Sequence, residues 1–414
     1  MTITAAFAAA MDRLGPFEPQ PRVAVAVSGG ADSMAAAVLT RDWVTSRGGE
    51  MLALVVDHGL RAESSSESEV TCVRLRSLGI ASELIRLSGL ARGAGLAARA
   101  RDARHASLER ACSARGIVHL VFGHHAADQA ETVAMRMLAH SAPSGLAAMA
   151  ALVENRAVRR LRPLLGMAPG DLRAVLRERG VAWVEDPSNQ DPTQLRARLR
   201  ALRADSGGTG PATRALVSAS IARGRQRSAL DGTVAAELLC RVTLYPQGYA
   251  LLSPGPISPE ALARLLAVLS GAERPPALSQ VAHLAQSPKS ATLAGVRLLP
   301  AGRLGAGWLL VREASAMAPP VPAVAGAIWD GRFRLARIDT PVAGLTLGAW
   351  GSNAPRDRRG LPSAVRWTLP VVRCNGEVIA AGAGLLTGAE FHILPEPRYQ
   401  LAAARFFPLP QVCG

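Results

Sequence analysis

The sequence predicts an α/β fold: an N-terminal parallel sheet, a helical middle region and a small β-rich C-terminal domain. Three observations carry the sheet. An apolar strand, Val23-Ala24-Val25-Ala26-Val27, runs straight into Ser28-Gly29-Gly30-Ala31-Asp32-Ser33 and an Ala-rich helix. Strands and helices then alternate as far as residue 122, the pattern of a parallel sheet covered on both faces. Three of the strands end at Ser28, Asp57 and Gly123, so these residues share the edge where such sheets bind ligands.

The elements follow in order. Met1 to Phe7 lacks a basic stretch before its apolar residues and reads as a short amphipathic helix, not a secretion signal. Met51 to Val56 is a continuous apolar strand ending in Asp57-His58-Gly59. A polar helix start at Ser64 to Glu69 leads to Leu78, Ile80 to Leu87 is a strand, Leu96 to Arg115 a long helix and Ile117 to Phe122 a fourth strand. Val158 to Leu165 is strand-like, and Pro169 to Arg179 is a helix opened by Pro-Gly-Asp. The Gly-rich run Asp205 to Pro211 marks a boundary, so domains are expected at 1–205, 212–314 and 325–414. Ala212 to Leu239 and Pro259 to Leu269 are helices, Ala314 to Pro322 is a Pro/Ala linker, and Phe333 to Ile338 alternates as a strand does.

Composition narrows the class. At 414 residues, 49% of them apolar, the chain can bury a large core, mostly aliphatic because aromatics are only 4%. No apolar run is as long as a membrane span, so a cytoplasmic protein without a membrane partner is expected. The five cysteines are scattered with no Cys-x-x-Cys pair, which argues against a zinc or iron–sulfur site and against a disulfide framework. A net charge of +15 suits a polyanionic partner. Almost all of it is arginine, with Lys289 the only lysine, and arginine forks suit phosphates and base stacking.

The Gly-rich turn carries the chemistry. Two glycines let the backbone approach an anion, and the helix N-terminus beyond them offers unpaired N–H groups. Ser28 and Ser33 add hydroxyls, and Asp32 reads as a Mg²⁺ ligand, since a bare carboxylate would repel phosphate. A tight turn with an N-cap gives part of this pattern; Asp32 and Ser33 in this order favour a nucleotide. The turn lacks the Gly-Lys-Ser/Thr ending of a Walker loop. A second stretch, Gly123-His124-His125-Ala126-Ala127-Asp128-Gln129-Ala130-Glu131-Thr132, puts Asp128 and Glu131 on one helix face, as metal ligands or as an ordinary acidic helix start. Arg101 and Arg104 share a face that would grip a phosphate or carboxylate, or is simply basic and exposed. Glu185 to Asp191 is a carboxylate-rich loop or an Asx/Pro turn.

Taken together these stretches resemble a known family. Ser-Gly-Gly-x-Asp-Ser is the signature of the PP-loop ATP pyrophosphatases, with an adenine nucleotide α-hydrolase-like fold. Within that superfamily the chain is similar to the tRNA(Ile)-lysidine synthases. The likeness rests on Gly123 to Thr132, Ala100-Arg101-x-x-Arg104-His105, Arg162-Pro163-Leu164-Leu165, and Glu185-Asp186-Pro187-Ser188-Asn189 followed by Arg196-Ala197-Arg198-Leu199-Arg200. It is strong over residues 20–205 and weaker at Pro370-Val371-Val372 and Gly376-Glu377-Val378. Three departures stand out: His105 for a tyrosine, Ala197 for an asparagine, and a His140 to Gly145 loop without the usual Gly-Ser-Gly.

The resemblance implies an ATP-dependent ligase. ATP adenylates the C2 oxygen of the wobble cytidine in a tRNA(Ile) with a CAU anticodon, and L-lysine then displaces AMP. It implies Asp32, Asp128 and Arg101 as catalytic residues, with Mg²⁺ on Asp32 and Asp128. Ser28, Gly29, Gly30, Ala31, Asp32, Ser33, Asp57, His58, Gly123 and His124 would bind ATP. Arg104, Glu131 and Glu185 would face the lysine substrate, the last two on charge alone, and Arg196, Arg198 and Arg200 the tRNA. A homodimer stays open. A tRNA 2-thiocytidine-type thiolase shares the loop but normally needs paired cysteines. Asparagine and GMP synthetases would need a glutaminase domain with a nucleophilic cysteine. A non-catalytic RNA-binding scaffold is opposed by the intact Asp32 and Asp128.

Overall fold

The computed structural model describes residues 2–59, 64–88, 93, 95–155, 157–185, 195–203, 205, 207–338, 344–355, 360–381, 391–399, 401 and 406. Two compact units emerge, Met1–Ala229 with Ala404–Gly414, and Leu230–Ala403.

The first unit opens with α1 (Ile3–Arg13), capped by Thr2, whose hydroxyl accepts from the Ala5 N–H at 3.3 Å. Then come β1 (Arg22–Val27), α2 (Ala31–Thr45), β2 (Glu50–Asp57), α3 (Ser64–Ser77), β3 (Ala81–Arg86), α4 (Leu96–Ala114), β4 (His119–Phe122) and α5 (Ala126–Leu138). They are followed by β5 (Leu152–Glu154), β6 (Arg159–Leu161), α6 (Pro169–Glu178), α7 (Leu195–Arg203) and α8 (Pro211–Arg241), which runs on into the second unit. The six strands form one sheet in the order β3-β2-β1-β4-β6-β5. All pairings are parallel except β5 with β6.

Strand β1 shows why this sheet forms. Its alternation sends Val23, Val25 and Val27 into the core with α1, α2 and α6, while Ala24 and Ala26 face the core that holds Leu108, Cys112 and Phe122. Five of its six residues are buried, as a central strand covered on both faces requires. The strand order reverses between β1 and β4, which opens a crevice beyond their C-terminal ends. The small Ala26 side chain leaves that end of the crevice open.

The second unit contains more than the predicted helices. Strands β7 (Val242–Tyr245), β8 (Tyr249–Leu252), β9 (Ala291–Leu293), β10 (Val296–Pro300) and β11 (Trp308–Arg312) form an antiparallel sheet in the order β7-β8-β11-β10-β9. Helices α9 (Pro259–Ser270) and α10 (Leu278–Gln286) bury Leu262, Leu266, Val281 and Leu284 in a core shared with Ala250, Leu298 and Leu310 of that sheet. These strands are three to five residues long and rich in Leu, so their period is hard to tell from that of a helix. Beyond them lie β12 (Val321–Pro322), β13 (Ile328–Trp329), β14 (Phe333–Ile338), β15 (Thr346–Ala349), α11 (Ser363–Arg366), β16 (Pro370–Cys374), β17 (Glu377–Ala381) and β18 (Phe391–Pro395). The end of the expected linker is thus an edge strand, where proline is tolerated. Asn375 and Gly376, with φ of 49° and 88°, turn β16 into β17, as an Asn-Gly hairpin requires.

Candidate active site

The Gly-rich turn holds its own shape. Ser33 Oγ donates to the Gly30 carbonyl at 2.9 Å and accepts from the Ser28 N–H at 3.1 Å. The Ser33 hydroxyl, expected to meet a phosphate, instead closes the loop. Ser28 remains exposed, with its Oγ 3.2 Å from that of Ser33. The two glycines are needed for different reasons. Gly29 has φ of +86°, and a Cβ there would lie 2.4 Å from Thr71 Oγ1. Gly30 has no such strain and no protein atom closer than 3.8 Å to an added Cβ, so its backbone stays open to an anion. It precedes α2, where Ala31 and Asp32 occupy the first turn. The Gly29 carbonyl also accepts from the Val184 N–H at 2.9 Å, tying the turn to the segment that leads to Glu185.

Gly123 and Asp57, both expected to bind ATP, each make contacts that shape the fold. A Cβ on Gly123 would lie 2.9 Å from the Asp32 carbonyl, so glycine is what lets β4 end against the start of α2. The Asp57 carboxylate is saturated: Oδ1 accepts from the Gly59 N–H at 2.9 Å and Ser64 Oγ at 2.6 Å, and Oδ2 from Ser65 Oγ at 2.6 Å. Burial would raise its pKa, but these three donors outweigh it and hold the carboxyl below its usual range. Asp57 therefore anchors the loop that carries His58. His58 lines a small pocket with Ala26, Ser28, Leu54, Val56 and Arg104, and its Nδ1 is buried without a partner.

The carboxylates of α2 and α5 converge on His125, which the sequence reading did not single out. His125 Nε2 is 3.2 Å from Asp32 Oδ2 and 3.7 Å from Asp128 Oδ2, and its backbone N–H donates to Asp128 Oδ2 at 3.1 Å. Burial alone would lower the His125 pKa. The hydrogen bond to Asp32 and the charges of Asp128 and Asp32 outweigh burial and raise it. Asp128 is shifted the other way, because His125, His124 and Arg200 together overcome its burial and lower its pKa. Asp32 Oδ1 is buried with no hydrogen-bond partner. Two facing carboxylates, one with an orphaned oxygen, fit a hard divalent cation. Among the described residues no cluster of three or more His, Cys, Asp or Glu side chains could hold a metal, so waters and phosphate would complete its shell.

Glu131 and Arg200, expected to face lysine and tRNA, pair with each other. Glu131 is fully buried, and both its oxygens meet Arg200: Nε donates to Oε1, and Nη2 lies 3.3 Å from Oε2. Arg200 also lies 3.6 Å from Asp128. The Glu131 carboxylate thus faces Arg200, and this arginine joins the carboxylate cluster while its side chain stays 40% exposed. Arg196 and Arg198 are exposed. Glu185 is also exposed, its Oε1 accepting from Trp183 Nε1 at 2.8 Å. Asp186 to Asp191, the rest of that loop, lie outside the described residues.

The opposite side of the crevice is cationic. Arg101 is exposed and Arg104 half-buried. His124 is pushed down to about 3, first by burial and then by Arg162, and His105 to about 4 by burial and four arginines. Both rings flank Phe122, at 5.9 and 5.3 Å between centroids. The His105 imidazole that stands at the tyrosine position is therefore neutral.

Comparison with known proteins gives the family. Residues 3–203 match the family model described as a PP-loop domain. A tRNA(Ile)-lysidine synthase of Rhizobium meliloti is 35% identical over 411 aligned positions, covering 90% of this chain and 86% of the relative. The proteins of the same name from Ruegeria pomeroyi and Mesorhizobium japonicum are 33% and 36% identical, covering 90% and 92% of this chain and 91% and 86% of their own lengths. With a PP-loop match over its first half and relatives of one name along nearly its whole length, the chain belongs to the tRNA(Ile)-lysidine synthase family.

Proposed function

We propose that the chain uses ATP to adenylate the C2 oxygen of the wobble cytidine in a tRNA(Ile) with a CAU anticodon. It then joins L-lysine to C2, giving lysidine and changing the codon read from AUG to AUA. One observation carries the reading: relatives named tRNA(Ile)-lysidine synthase match 90% of this chain and keep its overall length. The geometry supplies the parts for the first step. The apolar walls of Ala26, Leu54 and Val56, with the His58 ring beside them, suit a nucleobase. The open Gly30 backbone and the N-terminus of α2 suit the phosphates. Mg²⁺, held by Asp32 and Asp128, would neutralise charge on those phosphates. Arg101 and Arg104 face the departing pyrophosphate, and the enzyme thereby lowers the cost of the charge that builds up there.

In the second step an unprotonated lysine amine attacks C2, the C2–O bond breaks and AMP leaves with that oxygen. Glu185 and Glu131 stay candidate partners for the distant ammonium of lysine, the second already held by Arg200. Arg196, Arg198 and the basic surface of the middle and C-terminal regions would hold tRNA phosphates. The test is labelled L-lysine incorporation into a tRNA(Ile) CAU transcript with ATP and Mg²⁺, with Asp32→Asn as the control. Incorporation that needs ATP and is lost in the variant supports the reading. AMP formation without lysine incorporation would move the chain to a thiolase-type reaction, and neither product would leave an RNA-binding scaffold.

A further inference from the structure

Three arginines are buried among the described residues: Arg162, Arg312 and Arg332. Arg312 and Arg332 share the carboxylate of Asp330, at 3.0 and 2.7 Å. Arg162 has no such partner among the described residues. Its Nη1 donates to the Ala150 carbonyl at 2.8 Å, and its Nε is buried with no hydrogen bond. The charges around it have its own sign: burial, then Arg160 and Arg101, push the guanidinium down to about 10. Arg160 itself is paired with Glu109. Burying a cation among cations is unfavourable, and removing one half of an ion pair shows how much so. A buried side chain kept in that state beside the end of β4 is one whose anion arrives with the ligand.

Its position says which anion. The guanidinium carbon is 6.0 Å from the Phe122 ring centroid, at the end of β4 and beside the strand-order reversal. His124 and His105 on that same ring both feel its charge. Its setting is also braced. The Arg162 N–H donates to the Ala151 carbonyl at 2.8 Å, and two residues away Gln129 of α5 exchanges two hydrogen bonds of 2.9 Å with the backbone of Met149. The anchor of Arg162 is thus fixed to the helix that carries Asp128.

We propose that Arg162 is a phosphate-binding residue that grips the pyrophosphate end of ATP during adenylation, an assignment that rests on the ATP reading above. As the cytidine oxygen bonds to the α-phosphorus, the bond from that phosphorus to the bridging oxygen breaks. Its electron pair stays with pyrophosphate, the added negative charge falls within reach of the guanidinium, and Arg162 keeps its proton.

Titration calorimetry of the full chain with inorganic pyrophosphate and, separately, with AMP tests this without tRNA or lysine. In Arg162→Gln, pyrophosphate affinity is expected to fall about 10- to 100-fold, the range for a lost hydrogen bond to a charged group. AMP affinity should stay within about twofold, and Arg162→Lys should recover part of the loss, as a point charge without the fork. Equal losses for both ligands would make Arg162 a structural residue and overturn the proposal. So would unchanged pyrophosphate binding with weakened tRNA binding, which would move the residue to the RNA. If the wild-type chain binds neither ligand, the ATP reading itself falls, and the proposal with it.

Discussion

Ser33 shows how a side chain can fix the shape of a turn. Its hydroxyl both donates and accepts inside the turn, so the backbone is shaped before any phosphate arrives. Ser33→Ala should raise the KM for ATP about 5- to 30-fold with kcat changed less, the effect of about 1–2 kcal/mol of lost hydrogen bonding. Steady-state kinetics of AMP release will show whether the split is as stated. Asp57 makes a comparable prediction for stability. Its pKa is depressed on folding, so its contribution is present above about pH 3.8, the unfolded value, and is lost as pH falls through the lower folded value. Asp57→Asn should therefore cost about 1–3 kcal/mol near neutral pH, and that deficit should shrink in thermal melts taken toward pH 3. A deficit that is constant with pH would mean that the carboxylate charge does not matter.

At the scale of elements, α5 and α7 form one unit through a pair 69 residues apart. Arg200→Ala removes the Arg200 guanidinium from the buried Glu131 and should destabilise by about 2–4 kcal/mol, near or below the range for a broken buried pair because Arg200 is 40% exposed. Adding Glu131→Gln should return much of that loss, since a neutral amide needs no counter-charge; denaturant titrations of the single and double variants decide it. This pairing also marks the limit of what the sequence reveals. The alternation of strands and helices, the sharp turn after β1 and the shared edge of Ser28, Asp57 and Gly123 are local patterns, and they are legible. Which carboxylate meets which arginine is set by packing, so the pairing of Glu131 with Arg200 comes into view only with the fold. His125 was within reach. It precedes α5 with Asp128 three residues on, the spacing of a helix cap, although histidine is an unusual residue to find there. The sheet of the second unit was not, because its short Leu-rich strands have no distinctive period.

For the molecule as a whole, the Leu230–Ala403 unit depends on one carboxylate. Asp330 has φ of 54°, accepts from the Ala318 N–H at 2.9 Å and balances Arg312 and Arg332, joining strand β11 to the turn between β13 and β14. Asp330→Asn keeps a side chain that tolerates this backbone but leaves two buried guanidiniums without an anion. The expected loss is about 3–5 kcal/mol, confined to this unit. Scanning calorimetry should then show an earlier, separate transition, with ATP binding by the Met1–Ala229 unit unchanged below it. A single transition shifted as a block would mean that the two units unfold together.

The hydrogen bond from the Val184 N–H to the Gly29 carbonyl has a thermodynamic consequence. It ties the Gly-rich turn to the segment leading to Glu185, so a shift in one is felt by the other. Linkage is reciprocal: whatever factor ATP adds to the affinity for a ligand held near Glu185, that ligand adds to the affinity for ATP. An amino acid and a nucleotide that never touch would thus each report on the presence of the other.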